Sequence, residues 1–312
     1  MIGLSLKHLR YFEALARLGH FGRAAEDCAV TQPALSMQIR DLEDLVGAPL
    51  VERSARRVRL TELGEQFAAR ARDILAAVDA LGDLAHAART VPIGRLRLGV
   101  IPTVAPYLLP AMIHELGRRY PDLDLRPREA VTRSLVEDLT EGRLDVAVVA
   151  LPASEPSLDG VALVEEGFVL VRPAADAGKP VPDAEQLVAM RLLLLEEGHC
   201  FRDQALSFCR QAAGARPRDL IEGSSLATLV QMVGAGIGVT LIPDMAVPVE
   251  TRSAAVAIDR FAAPGPTRTV GMVWRRSNPL AGQFLRIAEV IRTSVCAAAS
   301  SRRDVGTGRA GG

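Results

Sequence analysis

The 312-residue sequence predicts an α/β body preceded by a small all-α winged helix-turn-helix unit and a long connecting helix. Three observations carry this. The first sixty residues hold short apolar helical stripes with caps and stops. A seam of seven residues with alternating four- and three-residue steps follows. Beyond residue 94 strands and helices alternate, the pattern of an α/β fold.

Leu6, Leu9, Phe12 and Leu15 repeat at helical spacing until Gly19, and a short second helix fits from about Gly22 to Cys28. Thr31 reads as an N-cap, Pro33 suits a first turn, and Leu35, Ile39, Leu42 and Val46 form one stripe closed by Gly47. Two short helices joined by a tight turn make a helix-turn-helix pattern. Val51 to Arg59 then sets Arg53, Arg56, Arg57 and Arg59 against the single acid Glu52, a local net charge of +3 that suits a phosphate-contacting hairpin. A plain solvated charge run is the other reading.

Thr61 opens a helix reaching about Ala88, with Phe67, Ala71, Ile74, Val78, Leu81, Ala85 and Ala88 on a coiled-coil-like seam. Pairing with a second copy explains this stripe; packing on its own domain is the alternative. Residues 90–94 read as a hinge. Strands are expected at Arg95–Ile101, Leu123–Glu129, Asp145–Ala150, Phe168–Arg172, Leu192–Leu195, Gly238–Ile242 and Thr269–Arg275. Helices are expected at Val104–Tyr120, Ser134–Glu141, after Cys200, at Leu226–Val233, and finally at about Leu280–Cys296, before a disordered tail. Gly234 to Gly238 resembles a dinucleotide loop, but it follows a helix and precedes a strand, the reverse of what a pyrophosphate cradle needs. It reads as a helix stop and tight turn.

Composition is that of a globular chain, 49% apolar and 24% charged, with zero net charge, so any nucleic-acid signal must be local. No signal-peptide core and no apolar run of about 18 residues is visible, which predicts a cytoplasmic protein with no membrane contact. Cysteines at 28, 200, 209 and 296 lack zinc spacing, so neither a metal nor another cofactor is expected. No hydrolase motif appears, and a turnover enzyme is not expected.

The most informative segment is Gly198-His199-Cys200-Phe201-Arg202-Asp203, continuing to Cys209. A helix N-terminus and neighbouring cations would favour the Cys200 thiolate. In one helix, nine residues place the two Cα atoms about 13 Å apart on opposite faces. A disulfide needs them within about 7 Å. Bridging would therefore require the helix to break. The residues alone leave open two reduced core thiols or a redox pair.

Residues 4–64 resemble the winged helix-turn-helix of LysR-type transcriptional regulators. The resemblance rests on Phe21 to Glu26, Val30 to Ser36, Leu42-Glu43 and Leu60 to Gly64. The remaining chain resembles that family's effector domain. Leu195 to Ala205 with Phe208-Cys209, and Ile101 to Pro110, resemble its peroxide-sensing members. The resemblance implies a winged helix-turn-helix at 1–60, a dimerising linker helix at 61–90, and two Rossmann-like, periplasmic-binding-protein-like subdomains. These would comprise 91–164 with 269–298, and 165–268, leaving 299–312 as the tail.

It further implies Cys200 as the peroxidatic and Cys209 as the resolving thiol, with Thr103, Thr132, His199, Arg202, Asp203 and Arg268 around the peroxide. Thr31, Gln32, Pro33, Ser36, Gln38, Arg40 and Arg53 would face DNA, with Met37 replacing an arginine common among relatives. The implied partners are double-stranded promoter DNA, a second copy and then a tetramer, RNA polymerase, hydrogen peroxide, and glutaredoxin or thioredoxin as reductant. A family member answering a small inducer in the inter-subdomain cleft is the alternative, and a thiol peroxidase a more distant one.

Overall fold

The computed structural model describes residues 3–53, 58–87, 94–213, 219–263 and 265–306. Arg56, Arg57, Ala88 and residues 90–93 lie outside these, as do the side chains of Arg53, Ala85 and Cys296. The chain divides into two compact units, Met1–Ala85 and His86–Gly312.

In the first unit, α1 (Leu6–Leu18) is capped by the Ser5 side chain and ends at Gly19, whose positive φ of 60° suits glycine. The next helix, α2 (Phe21–Asp27), is capped by His20, whose Nδ1 accepts from the Gly22 and Arg23 N–H groups. Then α3 (Gln32–Val46) carries Pro33 in its first turn and stops at Gly47. Thr31 takes the N-cap position, but its hydroxyl makes no capping bond. The stripe foreseen on α3 is the buried one: Leu35, Ile39 and Leu42 join Phe12, Leu15, Ala24 and Ala25 in a single core.

The basic segment is a hairpin of β1 (Val51–Arg53) and β2 (Val58–Leu60), paired antiparallel with Val51 opposite Leu60. It is tied to α3 by Glu43, whose Oε1 accepts from the Leu50 and Val51 N–H groups at 2.8 and 3.1 Å. The long helix α4 (Glu62–Ala87) starts beneath the hairpin. Thr61 accepts from the Gly64 N–H and donates to the Pro49 carbonyl, and a Cβ at Gly64 would lie 2.1 Å from the Leu50 carbonyl oxygen.

The α4 seam divides in two. Phe67, Ala68 and Ala71 pack within the first unit, Phe67 meeting Phe12 edge-on with ring centres 5.5 Å apart. Ile74 and Leu81 remain exposed. The expectation of a stripe with no core nearby is therefore corrected for its first two turns, because α1 offers an aromatic partner there.

The second unit begins with β3 (Gly94–Val100), α5 (Ala105–Arg119), β4 (Leu123–Glu129), α6 (Thr132–Thr140) and β5 (Val146–Leu151). These form parallel β3–β4 and β3–β5 pairs. A 16-residue strand, β6 (Leu158–Pro173), follows where only Phe168–Arg172 was expected. Then come α7 (Ala184–Ala189), β7 (Arg191–Leu195), α8 (Cys200–Ala213), β8 (Asp219–Gly223), α9 (Leu226–Gly234) and β9 (Val239–Pro243). The unit closes with α10 (Val247–Glu250), β10 (Val256–Arg260), β11 (Thr267–Arg275) and α11 (Ala281–Gly306).

One nine-stranded sheet runs β4-β3-β5-β11-β6-β9-β7-β8, with β10 also on β6. The first half of β6 pairs with β11 and its second half with β9 and β10, so residue 165 lies inside a continuous strand. The glycine-rich run is a helix stop and turn, with Gly236 at φ 80°. The final helix passes the expected stop near Cys296 and enters the segment expected to be a disordered tail. Ala297, Ala298 and Ala299 favour helix continuation. Residues 307–312 lie outside the described ones. No helix among the described residues is long and apolar enough to cross a membrane.

Candidate functional site

On α3, positions 33, 36, 37 and 40 share one face at helical spacing. There Pro33 and Arg40 are exposed, Ser36 is half-buried and Met37 is 57% exposed. Thr31 and Gln32 are exposed at the helix start. Gln38 sits about 200° around the helix from Ser36, and its amide donates to Asp41 Oδ2 at 3.0 Å.

In the second unit, β7 is wholly apolar after Arg191 and delivers the chain to a turn at Gly198, whose φ of 98° suits glycine. A Cβ there would lie 3.9 Å from Val131, so the turn abuts the start of α6. Cys200 is the first residue of α8 and half-buried. The dipole at a helix start favours an anion.

Phe201 is 1% exposed. Its ring lies against Phe168 at 4.7 Å between centres and faces the Arg268 guanidinium at 5.3 Å. Arg268 is itself buried. Its Nη1 donates to Thr103 Oγ1 at 2.9 Å and its Nη2 to the Thr103 carbonyl at 3.0 Å. Its Nε donates to Glu166 Oε1 at 2.8 Å, and Glu166 Oε2 accepts from the Met245 N–H. Burial pushes the Glu166 carboxyl up, against the pull of Arg268. Nearby, Tyr107 donates to Glu250 Oε1 at 2.7 Å, and burial raises the phenol well above its ordinary value.

Two hydrogen-bonding atoms stand apart. Thr132 Oγ1 and Gln204 Oε1 are buried without a hydrogen-bond partner among the described residues. Thr132 opens α6, beside the Gly198 turn, and Gln204 follows Cys200 by one helical turn. Buried polar atoms of this kind call for an explanation, and a ligand is one.

The expected cluster is thus partly assembled. Thr103 and Arg268 are bonded to each other, and Phe201, the residue beside Cys200, packs against Arg268. His199 is half-buried, and burial lowers its pKa against the opposing field of Glu196, so the imidazole favours its neutral form. The Arg202 guanidinium turns away, donating to the Leu195 carbonyl at 3.0 Å and pairing with Glu222. Asp203 is exposed. The two cations expected to favour the Cys200 thiolate are therefore engaged otherwise: one is preferentially uncharged, the other paired. The helix N-terminus remains.

Cys209 lies nine residues on in the same helix, fully buried, and burial raises its thiol pKa. Cys28, Cys200 and Cys209 are free thiols. Cys28 terminates α2, half-buried against the first core, as a small packing residue would.

Sequence reasoning missed Glu166, Phe201, Gln204, Tyr107 and Glu250. Only Gln204 left a readable signal, its four-residue spacing from Cys200. Glu166 and Arg268 are 102 residues apart, a pairing that only the β6–β11 register reveals.

Both units resemble known proteins. Residues 6–65 match the bacterial regulatory helix-turn-helix protein family of LysR type, and residues 89–295 match the LysR substrate binding domain. A probable hydrogen peroxide-inducible genes activator of Streptomyces viridosporus is 43% identical, covering 93% of this chain and 94% of that protein. The DNA-binding transcriptional dual regulator OxyR of Escherichia coli K12 is 40% identical, covering 93% and 95%. Among solved structures, full-length OxyR of Pseudomonas aeruginosa with a cysteine-to-aspartate substitution superposes with a TM-score of 0.73 at 38% identity, covering 93% and 95%. Peroxide-bound OxyR of Corynebacterium glutamicum with a cysteine-to-serine substitution gives 0.68 at 34%, covering 97% and 96%. An N-terminal DNA-binding unit, a mixed α/β regulatory unit and these full-length likenesses lead to one conclusion: the chain belongs to the LysR family of transcriptional regulators and is a homologue of OxyR.

Proposed function

We propose that this regulator senses hydrogen peroxide through Cys200 and controls antioxidant genes through a reversible Cys200–Cys209 disulfide. The observation that carries the reading is the placement of Cys200 at the start of a helix whose first turn packs on the buried Arg268–Thr103 pair, with Cys209 sealed within the same helix. The similarity to proteins named for peroxide induction supports it.

The Cys200 thiolate attacks one peroxide oxygen. The S–O bond forms as the O–O bond breaks, the sulfur is oxidised to sulfenic acid, and the departing oxygen leaves as hydroxide. The hydroxyls of Thr103 and Thr132 donate to the reacting oxygens, and Arg268 polarises the Thr103 hydroxyl. Neutral His199 can accept or relay a proton, while Arg202 and Asp203 shape the entrance.

The Cys209 thiol then attacks the sulfenic sulfur. The S–S bond forms and water departs. Because Cys209 starts about 13 Å away along the helix, this step unwinds part of α8 and uncovers a core residue. Two electrons from a dithiol such as glutaredoxin or thioredoxin restore both thiols.

Unwinding alters the surface around α8 and hence subunit packing in a dimer or tetramer, where exposed Ile74 and Leu81 on α4 supply part of the contact. Thr31, Gln32, Pro33, Ser36, Gln38 and Arg40, with Arg53 in the hairpin, then meet promoter DNA with a different half-site spacing. RNA polymerase reads the change. The protein works in the cytoplasm, as a switch rather than a turnover enzyme.

Thiol mapping by mass spectrometry across a peroxide titration, alongside DNA footprinting, tests this. A footprint that changes with formation of a Cys200–Cys209 bridge, and not in Cys200→Ser, is expected. A peroxide-dependent footprint persisting in Cys200→Ser refutes it, and a footprint that answers only to a small metabolite favours the inducer-cleft alternative.

A further inference from the structure

We infer that Phe201 is a positioning residue, setting the reactive sulfur of Cys200 in register with the hydroxyl that assists it. The inference rests on the peroxide reading above and adds to it a residue that acts through Arg268 and the backbone.

The Arg268 guanidinium is held in its plane by hydrogen bonds. Glu166 takes Nε and Nη2, and Thr103 takes Nη1 and Nη2 through its hydroxyl and carbonyl oxygens. In-plane bonds of this kind resist sliding but oppose tilting only weakly, because hydrogen-bond strength falls slowly near linearity. The guanidinium also lies over the face of the Phe201 ring, its Cζ 5.3 Å from the ring centre. The ring is in turn backed by Phe168 at 4.7 Å. Phe201 therefore limits movement of Arg268 beyond what the hydrogen bonds provide, and cation–π attraction in a buried setting adds to the hold.

The orientation matters through Thr103. Its Oγ1 accepts from Arg268, so its own proton is free to donate elsewhere. A tilt of Arg268 moves that acceptor bond and swings the donor with it. Phe201 is also the residue covalently next to Cys200. One buried side chain thus anchors the peptide that carries the sulfur and the cation that orients the donor. Catalysis of this kind depends steeply on sub-ångström placement.

The test uses the full-length reduced protein. Second-order rates at Cys200 are measured for peroxide oxidation and, at the same pH, for alkylation by iodoacetamide, which needs the thiolate but not the Thr103 donor. Phe201→Met fills the volume without a ring, and Phe201→Tyr keeps the ring. Phe201→Met is expected to slow oxidation about tenfold while alkylation stays within about twofold. Phe201→Tyr is expected to stay close to wild type in both.

Equal slowing of both reactions, or oxidation unchanged in Phe201→Met, overturns the inference and leaves the peroxide reading standing. A wild-type Cys200 inert to peroxide defeats that reading, and the inference falls with it. If Phe201→Met does not fold, Phe168→Leu, which removes the backing of the ring, replaces it. The same selective loss is then expected, and its absence is equally fatal.

Discussion

Thr132→Val separates stability from function. The Thr132 hydroxyl is buried without a partner among the described residues, and the residue is not the cap of α6, since Val131 holds that position without a side-chain bond. Valine keeps the β-branched shape and removes only the orphaned oxygen. An unsatisfied buried hydroxyl costs about 1 kcal/mol or more, so the reduced variant should be more stable by about that much. For a unit of this size the gain corresponds to a rise in Tm of about 2–4 °C. If the hydroxyl donates to peroxide, the variant loses one neutral hydrogen bond in the transition state. At about 1 kcal/mol this slows Cys200 oxidation about fivefold. Thermal melts of the reduced protein give the first quantity. Rapid quenching with an alkylating agent, followed by mass spectrometry of the Cys200 peptide, gives the second. A variant with lowered Tm and an unchanged rate refutes the reasoning, because the hydroxyl would then be structural.

Three further expectations follow from the geometry. Iodoacetamide should modify Cys200 in the native reduced protein on the order of 100-fold faster than Cys209, which is sealed and has its pKa raised by burial, and denaturant should erase most of the difference; comparable native rates would contradict the placement of Cys209. Burial lowers the His199 pKa, so the unfolded chain binds more protons than the folded one just below the ordinary histidine pKa of about 6.5. Unfolding free energy should therefore fall as pH drops through that region, and His199→Gln should flatten the slope in urea melts at pH 5.5 and 7.5. Replacing exposed Ile74 and Leu81 together with glutamate should shift the sedimenting species toward monomer with helix content unchanged, and unaltered association would show that this stripe is not the subunit contact.

The helix-turn-helix was legible because its signals are local. Gly19 and Gly47 stop helices, Pro33 starts one, and the α3 stripe repeats every three or four residues. The placement of both cysteines in one helix followed from the same kind of reading. Long-range features were not legible. In β6, the acids Glu165 and Glu166 and the glycines Gly160 and Gly167 interrupt the apolar pattern, so only its last buried segment looked like a strand. The edge strands β8 and β10 carry Asp219, Glu222, Asp259 and Arg260 and lack a clean alternation. At the site, sequence proximity suggested that Arg202 would serve Cys200, yet Glu222 on the neighbouring strand and the Leu195 carbonyl take its charge. The guanidinium that does adjoin the Cys200 turn comes from Arg268, brought there by strand pairing.

The 16 residues of β6 have a mechanical consequence. A strand bonded to β11 along one half and to β9 and β10 along the other acts as a common spine. Its ladder with β11 ends at Gly167 and its ladder with β9 begins at Phe168, so on this strand the backbone alone joins the two halves. Bending at that changeover leaves each ladder whole. Two sheets that share one strand can thus turn against each other while each keeps its own pairing.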